Sequence, residues 1–130
     1  LHGHAGLFGR LEDVHHLADQ YHRLYAGVPN SFEISPSLAK HYMQSSFRHA
    51  TGSHILGWDT PSPGRSSAGH YFSPESFGHL GFTGTSIWID PKAHLTVTLL
   101  TNRVCPTRDH WTIKDFRPAL HDLIREQYLS

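Results

Sequence analysis

Apolar residues recur at helical spacing near the start of the chain: Leu11, Val14, Leu17, Ala18, Tyr21, Leu24 and Tyr25 predict an amphipathic helix from about 11 to 25 with that stripe on a core. Glu12 and Asp13 stand in its first turn, where the helix dipole favours acids, and Gly27 follows its end. Ser35-Pro36 reads as the opening of a second, shorter helix to about Gln44, serine at the N-cap and proline at the first position. From Thr51 to Ser76 the pattern dissolves into Gly, Ser and Pro, interrupted by Ile55-Leu56-Gly57-Trp58, which predicts one short strand inside a long loop. Thr85 to Ile89 and Leu95 to Leu100 are rich in apolar and β-branched residues and flank the polar turn Asp90-Pro91-Lys92-Ala93-His94, so they predict an antiparallel hairpin. Ile113, Phe116, Leu120, Leu123, Ile124 and Tyr128 trace a closing helix, with Pro118 either kinking it or marking its true beginning. This order suits an α+β fold, an antiparallel sheet with packed helices.

Composition narrows the functional classes. The 130 residues fit one domain at most. Eleven basic and eleven acidic side chains cancel, so nothing favours nucleic acid or an anionic membrane surface as partner. No apolar run approaches the roughly 20 residues of a membrane span, so no transmembrane segment is expected. The single Cys105 excludes an internal disulfide and reads as a small apolar residue in a turn.

Thirteen histidines raise the question of a metal. His15, Asp19 and His22 fall at i, i+4 and i+7, share a helix face, and could present two imidazoles and a carboxylate; His2 and His4 could add ligands. Helical projection sets the three away from the apolar stripe, on the polar side, which predicts solvated residues. No metal or cofactor is expected.

The densest chemistry lies from Phe77 to Pro91, where His79-Leu80-Gly81 precedes Phe82-Thr83-Gly84-Thr85 on a strand. A polar group, one spacer and a glycine on a strand let backbone approach an acyl substrate closely. This segment resembles the third active-site motif of the serine β-lactamase and penicillin-binding-protein superfamily, Lys-Thr-Gly in its usual form and His-Thr-Gly in the esterase-like and carboxypeptidase-like branches. Gly6-Leu7-Phe8-Gly9 with Asp13-Val14 is similar to the stretch that opens a helix in these hydrolases, and Thr101-Asn102-Arg103-Val104-Cys105-Pro106 resembles the turn into their last helix. The order and spacing of all three agree across nearly the whole chain.

The resemblance implies the C-terminal part of an α/β/α β-lactamase/transpeptidase-like domain, with residues 1–130 as one partial domain. It implies a small-molecule acyl substrate (ester, lactam or peptide) attacked by a serine without a metal. The Phe82 N–H would be one oxyanion donor, His79 would line the cleft, and Gly81 would admit the acyl group. His4 and Ala5 match positions that wall the acyl pocket in class C β-lactamases, and Thr107 and Arg108 match a turn on the substrate-carboxylate side. Leu80 departs from the family threonine, whose hydroxyl helps bind a carboxylate, and this favours a neutral ester or an altered substrate.

The family's Ser-x-x-Lys and Tyr-x-Asn boxes should lie upstream, so the chain reads as a fragment whose partner is the missing N-terminal part of the same domain. Ser37-Leu38-Ala39-Lys40 satisfies Ser-x-x-Lys literally, but Ser37 falls in the first turn of an ordinary surface helix. The compartment stays open, a periplasmic or secreted parent being compatible with the resemblance. The alternative is a non-catalytic binding module or a His-rich metal binder.

Overall fold

A computed structural model of the chain describes residues 6–44, 48 and 50–128. Its elements are α1 (Leu11–Ala26), α2 (Pro36–Tyr42), β1 (His54–Ile55), β2 (Trp58–Asp59), β3 (Phe77–Leu80), β4 (Ser86–Asp90), β5 (Leu95–Leu99) and α3 (Ile113–Tyr128). The five strands form one antiparallel sheet in sequence order, so the α+β class expected from the sequence is the one observed.

Helices cover both faces because successive strand residues point to opposite sides. On one face Phe77 and Ile89 pack with Ala18 and Leu24 of α1 and Ala39 of α2. On the other, Trp88 and Val97 pack with Ala68 and Phe72 of the long β2–β3 loop and with Ile124 of α3. Gly78 sits in the middle, where a Cβ would meet the ring of Trp88 at 2.5 Å.

Local chemistry explains the termini. α1 ends in a Schellman arrangement: Gly27 takes φ 74°, its N–H donates to the Leu24 carbonyl at 3.2 Å, and the Val28 N–H donates to the Arg23 carbonyl at 3.0 Å. α2 has Pro36 at its first position, while the Ser35 hydroxyl meets the Ser37 hydroxyl at 2.7 Å rather than capping the helix.

Four expectations need correction. Residues 55–58 are a tight hairpin, not one strand; Ile55 pairs with Trp58 across a turn in which Gly57 takes φ 77°. A positive φ is what reverses the chain in so few residues. Next, His22 is half-buried rather than solvated, and His15, although exposed as expected, is tied to the sheet. His15 Nδ1 lies 3.0 Å from Thr98 Oγ1 and His22 Nδ1 lies 3.0 Å from Thr96 Oγ1, because β5 offers hydroxyls to the helix that crosses it. Burial pushes the His22 pKa down, and the stacked ring of His94 adds to this.

α3 has also turned relative to the predicted stripe. Ile113, Arg117 and His121 are buried, whereas Phe116 and Leu123 are 50% and 48% exposed. Pro118 lies inside this helix rather than at its start. Lastly, Asp90 is the buried end of β4 rather than the first residue of the polar turn. Its carboxylate accepts from the Ser73 N–H and hydroxyl at 2.9 and 2.7 Å, and from the Lys92 and Ala93 N–H groups at 3.1 and 3.2 Å. Four donors satisfy a charge that burial would otherwise penalise heavily.

Candidate active-site edge

The site begins with the pairing of β3. His79 is opposite Ile87, and the Gly81 N–H extends the ladder by donating to the Thr85 carbonyl at 2.7 Å. Odd-numbered residues therefore aim their backbone groups at β4, and Gly78 and Leu80 aim theirs the other way. On that other side β2 reaches only Gly78, through Asp59. Among the described residues no strand pairs with this edge of β3 beyond Gly78.

Gly81, Phe82, Thr83 and Gly84 then form a tight turn, closed by the Gly84 N–H on the Gly81 carbonyl at 3.0 Å. A Cβ on Gly81 would run into the Thr85 hydroxyl and lie 3.3 Å from the Thr85 Cβ, so the turn is crowded at this position. Gly84 takes φ 107°. Among the described residues no acceptor takes the Phe82 N–H.

Two arginines hold this turn from behind. Arg117, only 6% exposed, donates from Nη2 to the Gly81 carbonyl at 2.9 Å and the Thr85 carbonyl at 2.7 Å, and from Nε to the Gly84 carbonyl at 3.3 Å. Burial lowers its pKa, with repulsion from Arg103 adding to the effect. Arg103 donates from Nε to the Phe82 carbonyl at 2.7 Å, and from Nη1 to the Arg108 and His110 carbonyls at 2.8 and 3.0 Å. Its guanidinium lies 4.5 Å from the Phe82 ring centre and 5.0 Å from that of Trp111, which in turn faces Lys114 Nζ at 4.4 Å. These groups line an open groove of about 270 Å³ on the Leu80 side of β3.

His79, Leu80, Gly81 and Phe82 are thus contiguous along one edge. His79 is exposed, with Nδ1 2.9 Å from the Leu80 carbonyl, which leaves Nε2 for other partners. Leu80 packs against the cluster of Trp88 and Phe72 and borders the groove. Thr107 and Arg108 are exposed in the β5–α3 loop, brought toward Phe82 through the Arg103 bond to the Arg108 carbonyl. His4 and Ala5 lie outside the described residues. Ser37 and Lys40 do not form a couple: the Ser37 hydroxyl is on Ser35, and Lys40 Nζ lies 5.4 Å from the centre of the Tyr25 ring.

Sequence reasoning passed over Arg117 and the bonding role of Arg103. The available signal was an arginine four residues after Ile113, on the stripe that packs against the sheet. Among the described residues no group of three or more His, Cys, Asp or Glu is placed to hold a metal ion, and no helix is long and apolar enough to cross a membrane.

Comparison with known proteins gives a consistent picture. The family model described as Beta-lactamase matches residues 2–117. A protein of Escherichia coli (strain K12) named "Putative D-alanyl-D-alanine carboxypeptidase" is 33% identical over 105 residues, covering 78% of this chain and 23% of its own length. A protein of the same name from Salmonella gallinarum (strain 287/91 / NCTC 13346) is 34% identical over 107 residues, with the same coverage. The chain therefore spans about a quarter of the length of the curated relatives it matches. No solved structure matches.

Proposed function

The chain belongs to the beta-lactamase family of serine hydrolases, and from that premise we propose that it supplies the strand-edge half of an acyl-transfer site. In this reading a serine outside these 130 residues attacks an ester, amide or lactam carbonyl, forming an acyl-serine that water or another acceptor later releases. The Phe82 N–H donates to the oxygen as it gains negative charge, and a single such donor is worth about 10²–10³-fold in rate. His79, one residue from the open edge, offers Nε2 to the leaving group or to the proton relay. Thr107 and Arg108 border the side that would face a substrate carboxylate.

The observation that carries this reading is the coincidence of an open β3 edge with a Phe82 N–H that has no acceptor among the described residues. A strand interior would have consumed that donor. Leu80 turns an apolar side chain to the groove where the family pattern has a hydroxyl, which supports substrates whose recognition does not depend on that hydroxyl.

The same reading makes the chain inactive by itself, since neither Ser37 nor Lys40 is placed to act on the other. Purified chain should turn over neither a chromogenic ester nor a cephalosporin. Turnover that Ser37→Ala abolishes would overturn this. A longer parent carrying an upstream Ser-x-x-Lys box should hydrolyse an ester, and His79→Ala should slow it with the fold intact.

A further inference from the structure

We infer that Arg117 is a positioning residue, reaching across from α3 to aim and polarise the Phe82 N–H; the inference deepens the acyl-transfer reading and rests on it for its catalytic meaning. Phe82 N–H and Gly81 C=O belong to one peptide unit. Among the described residues the cis peptide bond is Cys105–Pro106, so this unit is trans and its two polar groups point in opposite directions. The Gly81 carbonyl is held by Arg117 Nη2 at 2.9 Å and by the Gly84 N–H at 3.0 Å. Fixing the carbonyl on the turn side sends the N–H to the other side, which is the open edge of β3.

Orientation is half of the effect. A hydrogen bond to a carbonyl draws electron density through the amide and makes the attached N–H a better donor, by about 10–30% per bond in condensed-phase estimates. Here the donor is a cation, and charge-assisted bonds are roughly twice as strong as neutral ones. The ion pairs among the described residues do not include Arg117, so no carboxylate offsets its charge there. The guanidinium fork also matters, because one group reaches three carbonyls at once, and a lysine ammonium on a flexible stem cannot reproduce that geometry.

The inference predicts a pattern along the backbone. Arg117 binds the carbonyls of Gly81, Gly84 and Thr85, so the amides polarised are those of Phe82, Thr85 and Ser86. The amides of Thr83 and Gly84 follow carbonyls that Arg117 does not touch. A purely structural anchor would disturb the whole turn without that alternation.

The test uses the chain labelled with ¹⁵N, with Arg117→Met and Arg117→Lys variants whose fold is followed by the resonances of α1. In Arg117→Met the Phe82, Thr85 and Ser86 amides should shift upfield in both dimensions more than Thr83 and Gly84, with Arg117→Lys in between. A Phe82 amide that stays in place in folded Arg117→Met, or one that moves no more than Thr83 and Gly84, overturns the inference. Should Arg117→Met fail to fold, Arg117→Lys decides by the same criterion. None of these readouts needs turnover, so a parent enzyme without acyl transfer would sink the catalytic reading and leave the aim and polarisation of this N–H standing.

Discussion

At Gly84 a single hydrogen in place of a side chain decides whether the turn can exist. Its φ of 107° is strained for any L side chain, and a Cβ there would run into Thr101 Oγ1, with Arg103 carbons at 3.3 Å. Gly84→Ala is expected to destabilise the fold by about 1–3 kcal/mol, read from chemical denaturation, with the loss concentrated around residues 81–86 by hydrogen exchange. His121 makes a prediction of a different kind. Burial disfavours its imidazolium, the Ser67 carbonyl opposing this and Arg117 adding repulsion, so its pKa lies below the usual imidazole value. As pH falls below about 6.5 the unfolded chain takes up a proton that the folded chain refuses. The stability contributed by the neutral ring is therefore complete above that pH and is lost toward the lower folded value, with His22 acting in the same sense. Melting temperature should fall from about pH 7.5 to 5, and His121→Gln should flatten that slope. The buried partnerships of Arg117, His121 and Asp90 were not legible from the sequence, because charge and polarity argue for solvent until the structure shows which carbonyls and N–H groups converge on them.

Among the elements, those set by local chemistry were readable. α1 starts and stops where its acids and Gly27 place it, and β4 and β5 lie within one residue of the predicted hairpin. Two things eluded the periodicity. The run at 55–58 has the composition of a strand, but Leu56 is 57% exposed at the tip of a hairpin and only a glycine marks the reversal. The buried face of α3 was missed because amphipathic projection weighs apolar against polar, while the turn under α3 presents the Gly81, Gly84 and Thr85 carbonyls; under α1, likewise, the sheet carries Thr96 and Thr98 beside its apolar residues. Such surfaces select histidine and arginine. At the candidate site the glycines that shape residues 78–84 are visible as letters, whereas the support behind them comes from a distant helix. Asp90 offers the test at this scale, since its carboxylate joins the β4–β5 turn to the loop that leads into β3. Asp90→Ala strands the donors of Ser73, Lys92 and Ala93 and should cost on the order of 3 kcal/mol or more. Asp90→Asn, which keeps one acceptor, should cost less in the same denaturation experiment.

For the molecule as a whole, the apolar side chains left in solvent are as informative as the core. Phe8 is fully exposed, Leu7 is 85% exposed, and Phe116 and Leu123 lie half open on the outer side of α3. Exposed apolar side chains of this size bind hydrophobic dyes. Native chain should therefore enhance the fluorescence of an anilinonaphthalene dye. The double replacement Phe116→Gln with Leu123→Gln should reduce that signal while changing stability by no more than about 1 kcal/mol, because neither side chain is buried.

The contact of α1 with β5 carries a consequence of its own. Helices held to sheets by hydrocarbon alone can slide, since one methyl group substitutes for another at little cost. His15 on Thr98 and His22 on Thr96 act instead as two keyed teeth. Shifting the helix by a turn would part both pairs, and the cost falls mainly on the half-buried His22 and Thr96, since His15 is exposed and water can take its partner's place. The seam adds little to adhesion and more to uniqueness: it favours the observed alignment of α1 on the sheet, and with it the packing of the aromatic cluster that α1 carries.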